Sequence, residues 1–141
     1  MTSQLNVDTI VDKAGSGGTN VKIGNTSTYV SDSGAVTQNT VQGLAKVWSC
    51  VEQGTTAFDD SFNCSGITDE ATGRFTPAFS NNMNNALYSL TGCCDANGVV
   101  ALYGGSEKIS SSVQIQTGDG LGSGGLLDYD NAMSTVHGDL A

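Results

Sequence analysis

Apolar and polar positions alternate along much of the chain, most clearly between residues 61 and 88. Phe62, Cys64 and Ile67 are separated by polar or small residues, and Phe75, Pro77 and Phe79 alternate with Arg74, Thr76 and Ala78. A period of two marks a strand with one face in a core. Asp69-Glu70-Ala71-Thr72-Gly73 lies between the two runs, with the length and chemistry of a hairpin connection. A polar loop over residues 81–85 then leads into Ala86-Leu87-Tyr88, the start of another strand. Pro77 cannot donate to a ladder, so its run is expected to be an edge or to carry a bulge.

The same reading extends to both ends. Leu5, Val7, Thr9 and Val11 alternate, with Ile10 on the other face, before glycines at 15, 17 and 18 break the run. Short strands are expected at 21–24 and at 28–30, and residues 31–42 are polar and small. Residues 1–42 hold too few large apolar side chains for a core of their own, so they read as an extended N-terminal arm. Such an arm orders against partner subunits, or is a flexible tail. Its attachment residues would be Leu5, Val7, Ile10 and Val11.

From about residue 43 the pattern becomes that of a globular domain. Ala86 to Cys94 reads as a strand, and Asn97-Gly98 as a type I′ hairpin signal leading into Val99 to Tyr103. Lys108 to Thr117 reads as one long alternating strand. Residues 118–125 hold five glycines and should form a surface loop. A last strand is expected at 132–138. Turn signals every 8–12 residues predict an all-β fold, a β-sandwich or jelly-roll-like domain over 43–141 with roughly eight strands. The expected core is Trp48, Phe62, Ile67, Phe75, Phe79, Tyr88, Val99, Leu102, Ile109, Val113, Ile115 and Val136. For Trp48 a sugar-stacking platform is the alternative to core packing.

Composition narrows the function classes. The net charge of −9 argues against nucleic acid and against anionic membrane surfaces. No apolar run reaches the roughly 20 residues needed to cross a bilayer, and residues 1–15 lack the pattern of a secretory signal. Nineteen glycines and a single proline fit many short strands joined by turns. Cys50, Cys64, Cys93 and Cys94 form no C-x-x-C pair, so zinc is weakly supported. They read as small buried apolar residues, or as a disulfide from Cys50 to Cys64 or to the neighbouring pair. Cys93 and Cys94 should point to opposite faces of one strand.

Asn63, Thr68, Gly73, Phe75-Thr76, Phe79, Met83 and Tyr88 carry a resemblance. Their order and spacing resemble a β-rich module of tail-fibre and other virion proteins of tailed bacteriophages, marine and cyanophage-like ones among them. The opening Leu5-Asn6-Val7-Asp8-Thr9-Ile10, the Lys46-Val47-Trp48 entry and the closing Gly138-Asp139-Leu140 are similar to segments of the same proteins. Pro77 and Asn84 depart from the pattern. The resemblance implies a non-enzymatic structural protein of the virion, a small trimeric tail-fibre or tail-associated subunit made in the host cytoplasm and released by lysis. A capsid decoration (cement) protein and a carbohydrate-binding receptor module for the host surface are the alternatives. Its partners would be copies of itself, other virion proteins and, for a receptor, a host surface glycan.

Residues that could carry chemistry are few. His137 is the single histidine, and catalysis would need it beside a nucleophile. Asp59-Asp60 and Asp69-Glu70 are paired carboxylates of the kind glycoside hydrolysis uses, and equally solvated turn residues. Asp128-Tyr129-Asp130-Asn131 offers oxygen ligands but lacks the glycine and distal glutamate of a calcium loop. The expectation is therefore no catalytic residue, no cofactor and no metal.

Overall fold

The computed structural model describes residues 27–30, 37–120 and 124–141. The chain divides between Val41 and Gln42 into two units. In the first, β1 (Thr28–Val30) and β2 (Thr37–Asn39) pair antiparallel, with Thr28 opposite Asn39. The Thr40 backbone N–H and hydroxyl both donate to the Ser27 carbonyl, at 3.0 and 2.9 Å, and close the ladder. β1 lies where the sequence predicts it.

The second unit is a β-sandwich, and the described residues contain no helix. Its strands are β3 (Val47–Glu52), β4 (Ala57–Phe62), β5 (Cys64–Ala71), β6 (Arg74–Phe79), β7 (Ser89–Cys94), β8 (Gly98–Leu102), β9 (Lys108–Ile109), β10 (Ser112–Val113), β11 (Ile115–Asp119) and β12 (Ala132–His137). One sheet has four strands in the order β4-β3-β12-β7. The other has six, with β6 at its centre: β5 pairs with one side of β6, and β10 and β11 lie end to end along the other. All pairings are antiparallel.

The core lies between the sheets. Val47 and Val51 of β3 and Ala132 and Val136 of β12 face Phe75 and Phe79 of β6 and Val113 and Ile115 of β10 and β11, with Met83 and Tyr88 closing one end. Each large side chain removed from water here contributes about 1.5–3 kcal/mol. Phe75, Pro77 and Phe79 point inward as their alternation predicts. The Tyr88 ring meets the Phe79 ring edge-on at 6.0 Å, and its hydroxyl lies 2.9 Å from the carbonyls of both Ile109 and Ser112.

Two connections explain why residues 61–88 organise the chain. At Gly73 (φ 65°) the β5–β6 hairpin turns. The Gly73 N–H is accepted by Asp128 Oδ1 at 2.6 Å, and its carbonyl accepts from Thr117 N–H at 2.8 Å. At Asn63 (φ 59°) the chain leaves β4 in one sheet and enters β5 in the other. Asn63 Nδ2 donates to the carbonyls of Lys46 (3.0 Å) and Asn81 (3.1 Å), while its Oδ1 accepts from Asn81 N–H (2.7 Å) and Asn81 Nδ2 (3.0 Å). One side chain thus ties the corner to the start of β3 and to the loop after β6.

The structure departs from the sequence reading at four places. Trp48, Phe62, Val99 and Ile109 are outside the core, and Val47, Val51, Met83 and Ala132 are inside it. The phase of β3 is set by Val47 and Val51, and Ser49 between them is buried because its hydroxyl lies 2.9 Å from the buried hydroxyl of Ser134. That hydrogen bond removes the cost of a polar residue at a core position, and Trp48 faces outward as a result. Residues 108–117 are not one strand: a turn at Ser110-Ser111 folds β9 onto β10, with Ser112 opposite Ile109.

The turn before β8 is of type I′ shape but one residue earlier than expected. Its positive φ angles fall on Ala96 (49°) and Asn97 (68°), and Gly98 N–H closes it onto the Asp95 carbonyl at 2.9 Å. It is a crossover between sheets, since β7 pairs with β12 and β8 with β11. Finally, β6 is central rather than an edge, and its ladder with β5 shifts register between Cys64 and Gly66, opposite Phe79 and Ala78, as the bulge alternative expects. Pro77 is tolerated there because the ladder on the other side jumps from Phe75–Ile115 to Ala78–Ser112. Gln114, which would lie near the gap, donates its N–H to Glu107 and accepts from Tyr103 N–H.

Candidate interaction face

The inward phase of β3 and β12 decides what the four-stranded sheet shows on its other side. Register places Phe62, Trp48, Thr135 and Thr91 in one row across β4, β3, β12 and β7. Asp60, Cys50, Met133 and Cys93 form the next row. Cross-strand neighbours of this kind have Cβ atoms about 4.5–5.5 Å apart. Trp48 is 36% exposed, Phe62 53% and Met133 40%. Two aromatic rings and a methionine therefore stand together on one outer sheet face, bordered by Asp59 and Asp60.

The cysteines divide by face as the sequence predicts, and all four are free thiols. Cys64 and Cys94 pack against the core, whereas Cys93 is exposed on the outer face. The Cys50 thiol lies 3.7 Å from Asn131 Oδ1 and 3.9 Å from Asp59 Oδ2. Burial, and then the negative charge of Asp59, Asp60 and Asp95, pushes it up from its ordinary value. Burial pushes Cys64 and Cys94 from 9.0 up to about 11.

These shifts give a pH dependence whose sign is fixed. Above pH 9 an unfolded chain ionises both thiols, while the folded chain keeps them neutral until about 11. The stability they contribute is complete below pH 9 and is lost as pH rises toward 11. Urea unfolding at about pH 10.5 should therefore give a lower midpoint than at pH 8, and substituting Cys64 by valine should reduce that difference.

The other residues singled out in the sequence are scattered or already engaged. Asp59 and Asp60 lie on β4, and Asp69 and Glu70 on β5 of the other sheet. Asp60 Oδ1 accepts the Ser61 N–H at 2.8 Å, and Glu70 Oε1 accepts the Thr76 hydroxyl at 2.9 Å. Asp128 holds the Gly73 turn, and Asn131 donates to Asp95 Oδ2 at 3.2 Å. His137 ends β12 beside Ser89, whose hydroxyl is directed at the His137 carbonyl oxygen, 3.5 Å away, rather than at its ring. Leu5, Val7, Ile10 and Val11 lie outside the described residues.

Three features escaped the sequence reading. Lys46 is buried at 4% exposure, with Nζ donating to the Leu44 carbonyl at 2.9 Å. Its burial lowers its pKa, and Asp139 partly offsets this. Met83 is buried beneath the last residues of the chain, where it bridges Leu140. Arg74 is stacked on Tyr103, with its guanidinium carbon 4.6 Å from the ring centre. Register was the missing signal in the last case, because Arg74 on β6 and Tyr103, just after the end of β8, lie on either side of β11. Compared with known proteins, the chain matches no family model, no curated protein and no solved structure.

Proposed function

We propose that this chain is a non-enzymatic structural protein of a tailed-phage virion, a small tail-fibre or tail-associated subunit that works as a homotrimer. The observation that carries the reading is the outer face of the four-stranded sheet. Trp48, Phe62 and Met133 stand together there at substantial exposure, and aromatic and methionine side chains are enriched where proteins meet. This face closes against a neighbouring subunit. The residues that resemble the phage module support the same reading by what they do. Asn63 and Gly73 shape turns and Phe75, Phe79, Met83 and Tyr88 fill the core, so the resemblance rests on residues that build the fold. The number three comes from the resemblance.

The test is the subunit count. Light scattering of the full chain should report three subunits, and the double variant Trp48→Glu/Phe62→Glu should report one. Trp48 keeps most of its surface packed and the two glutamates would stand opposite each other beside Asp59 and Asp60, so circular dichroism must first show that the variant is folded. A wild-type monomer, or a double variant that assembles normally, would remove the proposal. Counting copies per particle then separates a tail component, present in few copies, from a cement protein that coats the capsid.

A further inference from the structure

The outer face of the six-stranded sheet differs in chemistry from that of the four-stranded one. At its centre Arg74 and Gln116 are register partners on β6 and β11. Arg74 rests on the Tyr103 ring, but no described residue offers its guanidinium a hydrogen bond or an ion pair. Its Nε is shut off from solvent without a partner. Beside it runs a short chain of polar heads: Gln114 Nε2 lies 3.5 Å from Thr76 Oγ1, which donates to Glu70 Oε1 at 2.9 Å. Ala101 opposes Gln116 on the far side, so no bulky side chain rises between them. The exposed large apolar residues Val99 and Ile109 of this face stand away from Arg74, Val99 at the far end of β8 and Ile109 on β9.

We infer that Arg74, Tyr103, Gln116 and Gln114 form a binding site for a carboxylate-bearing sugar of the uronic acid type. A guanidinium is a planar fork whose natural complement is a carboxylate bound by two parallel hydrogen bonds. Tyr103 holds that fork in place and limits the entropy lost on binding. The amide heads of Gln114 and Gln116 each donate and accept, as sugar hydroxyls require. Glu70 accepts hydroxyl protons and disfavours a second acidic group at the same spot, so one uronate of a chain occupies the site and its neighbours extend away from it. The aromatic of this face, Tyr103, lies under the Arg74 guanidinium, whereas Trp48, Phe62 and Met133 stand exposed on the other sheet. The net charge of −9 disfavours polyanions at long range, an effect that is screened at ordinary salt within about 10 Å.

The full chain, uniformly labelled for amide NMR, should be titrated with trigalacturonate and with maltotriose at neutral pH. Trigalacturonate should shift the resonances of Arg74, Tyr103, Gln114 and Gln116, and maltotriose should bind at least about ten-fold more weakly. Arg74→Gln should lose at least about ten-fold in trigalacturonate affinity, and Arg74→Lys, which keeps charge without the fork, should fall between. Circular dichroism verifies that both variants are folded. The inference is overturned if trigalacturonate does not bind, if maltotriose binds as well, or if Arg74→Gln binds normally. It is also overturned if Arg74→Gln changes the subunit count and leaves sugar binding alone, which would make the guanidinium's partner a protein carboxylate. The assembly reading rests on the other sheet and is unaffected by these results.

Discussion

Gly73→Ala should lower stability by about 3 kcal/mol, which for a domain of this size is a fall in Tm of roughly 12–20 °C. Two penalties combine. The residue sits at φ 65°, where an L side chain costs about 1–2 kcal/mol. A Cβ there would also fall 2.6 Å from the Thr117 carbonyl oxygen and 2.7 Å from Leu127 N. Both are backbone atoms, so relief requires moving the strands. Gly124 provides the internal control, because it has the same φ of 65° and nothing within 4 Å of its Cβ position. Gly124→Ala should therefore cost only the conformational part, about 1–2 kcal/mol. Thermal unfolding of the two variants measures the difference. Equal losses would mean that the Gly73 turn is not pinned against β11 and the segment after it.

Asn63→Ala should be the second most damaging change, at about 2–3 kcal/mol. Alanine removes all four side-chain hydrogen bonds at the corner between sheets and also disfavours φ 59°. Asn63→Gly restores the backbone freedom and should recover roughly 1 kcal/mol of the loss. Asn63→Asp keeps the acceptor for Asn81 but turns a carboxylate oxygen toward the carbonyls of Lys46 and Asn81. It should be destabilised at pH 7 and regain stability as pH falls and the carboxyl becomes a donor. Urea titrations of the three variants give these differences directly. An Asn63→Ala variant as stable as wild type would show that the corner is held by the sheets alone.

The physical reasons for what the sequence disclosed differ from residue to residue. Phe75, Pro77 and Phe79 were legible because three large apolar residues alternate with polar ones, and one phase is plainly the buried one. β3 was not, because Val47-Trp48-Ser49-Cys50-Val51 offers an apolar residue in both phases. Size argued for Trp48 inside, but the buried Ser49–Ser134 hydrogen bond, which joins residues far apart in sequence, settles the phase the other way. Pro77 could be recognised as an obstacle to pairing, yet the gap between β10 and β11 that accommodates it depends on a turn at Ser110-Ser111 that reads as ordinary strand. Asn97-Gly98 announced a tight turn and not which sheets it joins, since local turn chemistry carries no information about the partners of β7 and β8.

The candidate surfaces follow the same division. Trp48 was visible in the sequence as a residue of two possible roles. Its neighbours Phe62 and Met133 both come from strands later in the chain, and only register brings them together. Arg74 and Tyr103 meet for the same reason, across β11. Asn63, Gly73 and Met83 could be picked out through the phage-module resemblance, but what each holds in place comes from the fold.

Trp48 is the single tryptophan of the chain, so its fluorescence reports on the proposed subunit contact without interference. The most direct measurement is acrylamide quenching of the full chain, followed as it is diluted until the assembly dissociates. The assembly account predicts that Trp48 is protected in the trimer and becomes readily quenched, with a red-shifted emission, as light scattering shows the subunits separating. A Trp48 that is quenched equally in the assembled and dissociated states would contradict it.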